Sequence, residues 1–261
     1  MEMNLTTNTQ QQTTILHLIN ITRTFDGVKA LDSLSFEISK QSITAIIGPN
    51  GSGKTTLFNV ITKFLKPDTG KVIFKGKNIT YLAPYKISNI GIGRTFQTIR
   101  IFPQITVMEN MLLALEKGRI EGLFYGLNPF IKHSSKELER KAEELLSKVE
   151  LKDKINEYAG NLSHGQRRLL EIMRAVALNA DLYLFDEPTA GVFPEVRIRI
   201  LTLFKSLKEE GKTIIFVEHN METVREGAER VIVLDKGKII ADGEPKIALE
   251  SEKVIEAYFG G

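Results

Sequence analysis

Residues Gly48-Pro49-Asn50-Gly51-Ser52-Gly53-Lys54-Thr55, followed by Thr56, fit the spacing G-x-x-x-x-G-K-[ST]. A pattern this short can occur by chance, so its flanks decide its meaning. Ile43-Thr44-Ala45-Ile46-Ile47 precedes it, an apolar and β-branched run with the character of a buried strand. Thr56 to Leu65 follows it with helical apolar spacing. Strand, glycine-rich turn and helix together aim successive backbone N–H groups and a helix N-terminus at one anion. In that setting Lys54 reaches the β- and γ-phosphates of a nucleotide, and the Thr55 hydroxyl is a Mg²⁺ ligand. The alternative is a glycine-rich turn with an incidental lysine, and both flanks argue against it.

A second apolar run, Leu182-Tyr183-Leu184-Phe185, ends in Asp186 and Glu187. Ligands gather beyond the carboxyl ends of parallel strands, so both acids point to where a nucleotide sits. Asp186 belongs in the Mg²⁺ shell, and Glu187 is placed to orient or deprotonate the attacking water. Alone, an Asp-Glu pair after a strand is most often a solvated strand end; the loop at residue 48 reverses that. His219 follows a third run, Thr213–Val217. A lone histidine is more often structural than catalytic, but this one ends a strand expected beside the two acids, within reach of a γ-phosphate. Asn161-Leu162-Ser163-His164-Gly165-Gln166 precedes a long apolar helix, Arg167 to Asn179. Ser163 and the N–H of Gly165 then form an anion site at a helix N-terminus, or Ser163 is a plain N-cap.

Around these motifs the pattern is that of an α/β protein with a mostly parallel sheet. Helix residues Val196, Ile200, Leu203, Phe204 and Leu207 line one face, and Val231–Leu234 is a further buried strand. Ile15–Ile21, Ser35–Ser39 and Val72–Lys77, with a turn at Asp26-Gly27, predict an antiparallel β subdomain beside the core. Residues 107–117 and 136–150 read as helices, the second with Glu144 and Lys148 as an i,i+4 pair. A long connection, Gly118 to Ser135, lies between them. The expected organisation is a polar, flexible tail over residues 1–14, then one domain over 15–261. Its core spans 15–89 and 171–261, and a helical subdomain is inserted at about 90–170.

Of the 261 residues, 42% are hydrophobic and 26% charged, which suits a globular chain with a substantial core. The net charge of +3 gives no support to a nucleic-acid-coating protein. There is no cysteine, which excludes disulfides, thiolate metal sites and thiol nucleophiles, and makes the cytosol the expected compartment. No apolar run approaches the length of a membrane-spanning helix, and the N-terminus lacks the features of a secretion signal.

Taken together, the loop at 48–55, Gln97, the stretch 162–166, the strand 182–187 and His219 resemble the ATP-binding subunits of ABC transporters, in order and in spacing, over about residues 15 to 260. The resemblance implies ATP and Mg²⁺ as cofactors. Phe25 matches the aromatic residue that stacks on adenine, with core packing as its alternative role. Gln97 matches the glutamine that contacts Mg²⁺ and reports nucleotide state to membrane subunits. Ser163, His164, Gly165 and Gln166 match the signature that binds the γ-phosphate of a partner's ATP. The implied active form is a head-to-tail dimer with a second ATPase subunit, identical or related. It is carried by two integral membrane permease subunits at the cytoplasmic face of the membrane and served indirectly by an extracytoplasmic solute-binding protein.

Gly91-Ile92-Gly93-Arg94-Thr95-Phe96-Gln97, Thr106 to Asn110, Ala190-Gly191-Val192 and the ending Val254 to Gly260 resemble the branched-chain amino-acid uptake ATPases in particular. Subfamilies for urea or lipid share parts of this pattern. Two departures stand out. His164 occupies a position that is usually glycine, and its titration offers a pH-sensitive dimer closure. Phe193 occupies a position that commonly carries an aspartate contacting the partner subunit. Rival readings are a single-cassette ATPase acting on ribosomes or nucleic acid, a phosphoryl-transfer kinase, and a non-catalytic nucleotide binder. One copy of each motif, the lack of cysteine, the stretch 163–166 and the presence of Lys54, Glu187 and His219 speak against them.

Overall fold

The computed structural model describes residues 13–116 and 132–259. In chain order the strands are β1 (Thr14–Phe25), β2 (Val28–Ser39), β3 (Ile43–Ile47), β4 (Thr69–Phe74), β5 (Lys77–Asn78), β6 (Ile92–Arg94), β7 (Leu182–Asp186), β8 (Thr213–Val217), β9 (Arg230–Asp235) and β10 (Lys238–Gly243). The helices are α1 (Lys54–Ile61), α2 (Pro84–Asn89), α3 (Val107–Leu115), α4 (Lys132–Ser147), α5 (His164–Ala177), α6 (Pro194–Glu209), α7 (Met221–Gly227), α8 (Pro245–Leu249) and α9 (Glu252–Phe259).

The strands form two sheets. One is antiparallel, in the order β2-β1-β4-β5. The β1–β2 hairpin turns at Asp26-Gly27, where φ is 46° and 83°, the left-handed pair that an Asp-Gly turn supplies most readily. The other sheet has the order β10-β9-β3-β8-β7-β6. Its five strands from β9 to β6 run parallel, and β10 closes the edge in antiparallel pairing.

The central strands are apolar on both faces, as expected of a sheet covered on both sides, and their residues alternate between two cores. Ala45, Phe185, Phe216 and Val233 face a core built with α3 to α9. Ile46, Leu184, Ile215 and Ile232 face a core shared with α1 and the antiparallel sheet. Phe185 stacks on Phe204 of α6 at 4.8 Å between ring centroids, and Phe204 lies 5.6 Å from Phe216. Each fully buried phenylalanine of this row contributes ~1.5–3 kcal/mol relative to exposure.

Several boundaries differ from the sequence expectation. Of the expected 1–14 tail, residues 1–12 lie outside the described residues, and Thr14 already pairs with Ser39 in the hairpin. β6 pairs with β7, so residues 92–94 belong to the parallel sheet and not to the helical insertion. The expected connection Gly118 to Ser135 lies outside the described residues up to 131, and α4 begins at Lys132. The expected Glu144–Lys148 pair is replaced. Glu144 pairs with Arg140, and Lys148 reaches Glu210 at the end of α6, because an ammonium near the last turn of α4 finds a carboxylate on the neighbouring helix.

Candidate functional site

The turn between β3 and α1 wraps one side of a cavity of about 250 Å³. Asn50, Gly51, Ser52, Gly53, Lys54, Thr55 and Thr56 line it, with Ala30, Gln97, Glu187, Val217 and His219. Gly53 is the N-cap of α1, with φ 108° and no side-chain cap, and a Cβ there would lie 2.4 Å from the Ala30 carbonyl. Only glycine lets the helix start this close to β2. Lys54 is buried, and its ammonium donates to the carbonyls of Gly48 (2.7 Å) and Pro49 (2.9 Å). Burial pushes its pKa down, opposed by the carboxylates of Glu187 and Asp186. A desolvated cation, an exposed Thr55 hydroxyl and an uncapped helix start make a receptor for a polyphosphate.

Glu187 closes the opposite rim. It stands just past β7 in a left-handed conformation, φ 48°, and its N–H donates to Val217 O at 3.0 Å. One carboxylate oxygen lies 3.1 Å from His219 Nε2, and the other accepts from the Gln97 amide at 3.1 Å. Residues 90 and 32 positions away in the chain thus bracket one carboxylate.

Asp186 behaves differently. It is buried behind the cavity wall, and its Oδ2 lies 3.2 Å from Arg94 Nη2. Burial pushes the Asp186 carboxyl up, against the pull of Arg94. Arg94 is also held by Asn59 and Thr62 and sits 4.9 Å from the ring of Phe96. Among the described residues no cluster of His, Cys, Asp or Glu forms a ready metal cage. Thr55 and Gln97 line the cavity and carry a hydroxyl and an amide oxygen of the kind Mg²⁺ takes beside phosphate and water, whereas Asp186, expected in the Mg²⁺ shell, is not among the lining residues and is paired with Arg94.

Ser163, His164, Gly165 and Gln166 are not among the residues lining this cavity. Ser163 is the N-cap of α5. Its hydroxyl accepts from the N–H of Gln166 at 3.3 Å, and the Gln166 side chain accepts from the Ser163 N–H at 3.0 Å, a complete capping box. The cap is therefore present, and Ser163 at the start of the helix is exposed. Gly165 is buried against Val196, and a Cβ would lie 2.8 Å from its methyl. His164 is exposed. Phe25 is 40% exposed with Arg23 stacked 4.8 Å from its centroid. Phe25 belongs to neither buried core and sits at the tip of the hairpin whose Ala30 lines the cavity, without itself being among the lining residues.

Three features were absent from the sequence reading. Arg94, whose local sequence gives no sign of a partner, pairs with Asp186 across 92 positions. Glu218 is buried between the His219 and Glu187 segments; the only local signal was a charged residue directly after the apolar run Thr213–Val217. On α5, the Arg168–Glu171 ion pair (2.8 Å, both side chains at most 5% exposed) holds the Gln97 segment, with Arg168 donating to the Phe96 and Gln97 carbonyls. Beside this segment a groove of about 1040 Å³ runs between α2 and α3, lined by Tyr85, Phe96, Arg100, Leu113 and Arg174 among others.

The sequence profile described as ABC transporter matches residues 31–190. The "Probable branched-chain amino acid transport ATP-binding protein LivG" of Archaeoglobus fulgidus is 40% identical over 246 residues, covering 94% of this chain and 95% of its own length. The ADP conformation of an ATP-binding cassette of an ABC transporter superposes with a TM-score of 0.83 at 38% identity, covering 95% of this chain and 99% of that one. A dimeric cassette in a post-hydrolysis state, bound to ADP and Pi, gives a TM-score of 0.75 at 30% identity, covering 88% and 99%.

Proposed function

The chain belongs to the ABC transporter family as an ATP-binding cassette with ATPase activity, and from that premise we propose that it drives uptake of branched-chain or related amino acids. The relatives' names support the solute class. The observation that carries the catalytic part is the Glu187 carboxylate, held by Gln97 and His219 at the rim of the cavity that Lys54 and the phosphate loop line.

In this reading Lys54 and the N–H groups of residues 50–56 hold the ATP phosphates, and Phe25 stacks on the adenine. Thr55, Gln97 and Asp186 are the residues that would hold Mg²⁺, Asp186 from behind the cavity wall, and the ion would neutralise charge on the phosphates. Glu187 takes the proton of the attacking water, and His219 fixes the Glu187 oxygen and reaches the γ-phosphate. Ser163, His164, Gly165 and Gln166 stand away from their own chain's cavity, so they serve the nucleotide of a second ATPase subunit. Two nucleotides, each touching both subunits, close the dimer; loss of the γ-phosphate reopens it. A heterodimer with a related ATPase is the preferred assembly.

The groove beside Gln97 receives a segment of one of the two integral membrane permeases. Phe96 and Leu113 offer it apolar contact, and Arg100 and Arg174 select for acidic residues on it. No helix among the described residues is long and apolar enough to cross a membrane; the names of its relatives support a peripheral subunit of a transporter, placed in this reading at the cytoplasmic face. A solute-binding protein outside delivers the amino acid to the permeases.

The test is a mild-detergent pull-down of tagged Glu187→Gln protein with MgATP. Two hydrophobic permeases with a second ATPase support the importer. Ribosomal or DNA-bound partners without membrane subunits keep the ATPase and overturn the transport assignment.

A further inference from the structure

The β7–β8 ladder ends at the pair Asp186 and Val217. The two residues the proposed hydrolysis depends on, Glu187 and His219, both lie past that end. One side chain continues the cross-link beyond it. Glu218 is 3% exposed, and its Oε1 accepts from the Thr189 N–H (2.9 Å) and the Thr189 hydroxyl (2.7 Å). Its Oε2 accepts from the His219 N–H at 3.3 Å. Thr189 lies within the same tight turn as Glu187, whose carbonyl accepts from the Ala190 N–H at 3.2 Å.

A buried carboxylate is a poor stabiliser, since well-packed apolar residues of similar volume usually serve as well or better. Its distinctive property is to hold two backbone segments in one register. Here the segments are the turn that carries Glu187 and the strand end that carries His219. The same turn runs on to Gly191, which sits against His164 at the start of α5, and to Phe193, which is 78% exposed. A cavity of about 540 Å³ lined by Thr189, Gly191, Glu218 and His219 leaves room for this segment to shift.

We propose that Glu218 is a positioning residue for ATP hydrolysis. It sets the Glu187 turn against His219. The proposal rests on the roles given above to Glu187 and His219.

The experiment compares kcat for ATP and the affinity for MgATP in Glu218→Ala, Glu218→Gln, Thr189→Val and the double variant Thr189→Val/Glu218→Ala, with Glu187→Gln as reference. Glu218→Ala is expected to lower kcat at least about tenfold while nucleotide affinity stays within about twofold, the pattern of a group that acts on the chemical step. Thr189→Val lowers kcat by about threefold or more, and Glu218→Gln, which keeps acceptor capacity, recovers part of the loss. The double variant is no slower than Glu218→Ala, because both changes remove one shared interaction. Unchanged kcat in Glu218→Gln and Thr189→Val together, or losses that multiply in the double variant, overturn the proposal. These two single variants also decide it if Glu218→Ala does not fold. Normal turnover in Glu187→Gln is a separate result, which overturns the catalytic assignment itself.

Discussion

The guanidinium of Arg94 lies 3.2 Å from the carboxylate of Asp186, with the two side chains only 7% and 8% exposed. Neither group can lose the other without leaving a charge in a dry place. Arg94→Met is therefore expected to destabilise the fold by about 3–5 kcal/mol. Urea denaturation reads this directly. The double variant Arg94→Met/Asp186→Asn recovers part of the loss, because the stranded carboxylate is then gone. A single variant as stable as the parent would show that the pair is not closed in solution.

Lys54 sits on the carbonyls of Gly48 and Pro49 with its charge already desolvated. Little of its cost is left to meet when phosphate arrives. Lys54→Ala should weaken MgATP binding by at least about a hundredfold. Titration calorimetry measures the loss, and an unchanged thermal midpoint separates it from misfolding. Retention of parental affinity would remove Lys54 from the phosphate site.

Lys63 follows α1 with φ 66° and is 5% exposed, and its ammonium has no hydrogen-bond partner among the described residues. Burial pushes its pKa down from 10.5 to about 8. The unfolded chain therefore binds more protons than the folded one between these values, and stability rises with pH across that window. Below it the buried charge costs on the order of 3 kcal/mol. Lys63→Gly removes both the charge and the left-handed strain of a side chain. The variant should be more stable than the parent, most of all below pH 8, with the advantage shrinking as pH rises toward 10.5. Urea midpoints at several pH values check the sign; an advantage that grows with pH contradicts it.

Glu187→Gln keeps the side-chain volume and the contacts to Gln97 and His219 while removing the base. Hydrolysis should fall by about 10²–10⁴-fold with MgATP affinity retained. Size-exclusion chromatography with MgATP and the second ATPase subunit should then show an accumulated dimer. A variant that turns over normally counts against the assignment.

The legible parts of this molecule were those written in contiguous residues. The strand β3, the loop at 48–55 and the run Thr213–Val217 carry their own pattern, so their structure and place in the site follow locally. β1 proved longer than expected because it continues through irregular pairing past Asn20 and Thr22, where polar residues hide the strand. β6 was missed because three residues beside glycines carry almost no periodicity. Arg94 and Asp186 are 92 positions apart, and Glu218 meets Thr189 across 29. No local pattern encodes such pairs; they exist only once β6, β7 and β8 lie side by side. Arg168 and Glu171 were invisible for the opposite reason, since an i,i+3 pair on a helix normally reads as solvent-facing.

The alternation of β3, β7, β8 and β9 between two cores bears on how the molecule comes apart. Those strands are a common wall: every second residue belongs to one hydrophobic interior, and the residues between belong to the other. Neither interior can open while the wall keeps its pleat, and the wall cannot lose its pleat without exposing both. Melting of the antiparallel sheet and of the helices packed on the far side should therefore fall in a single cooperative step, with no half-folded species between.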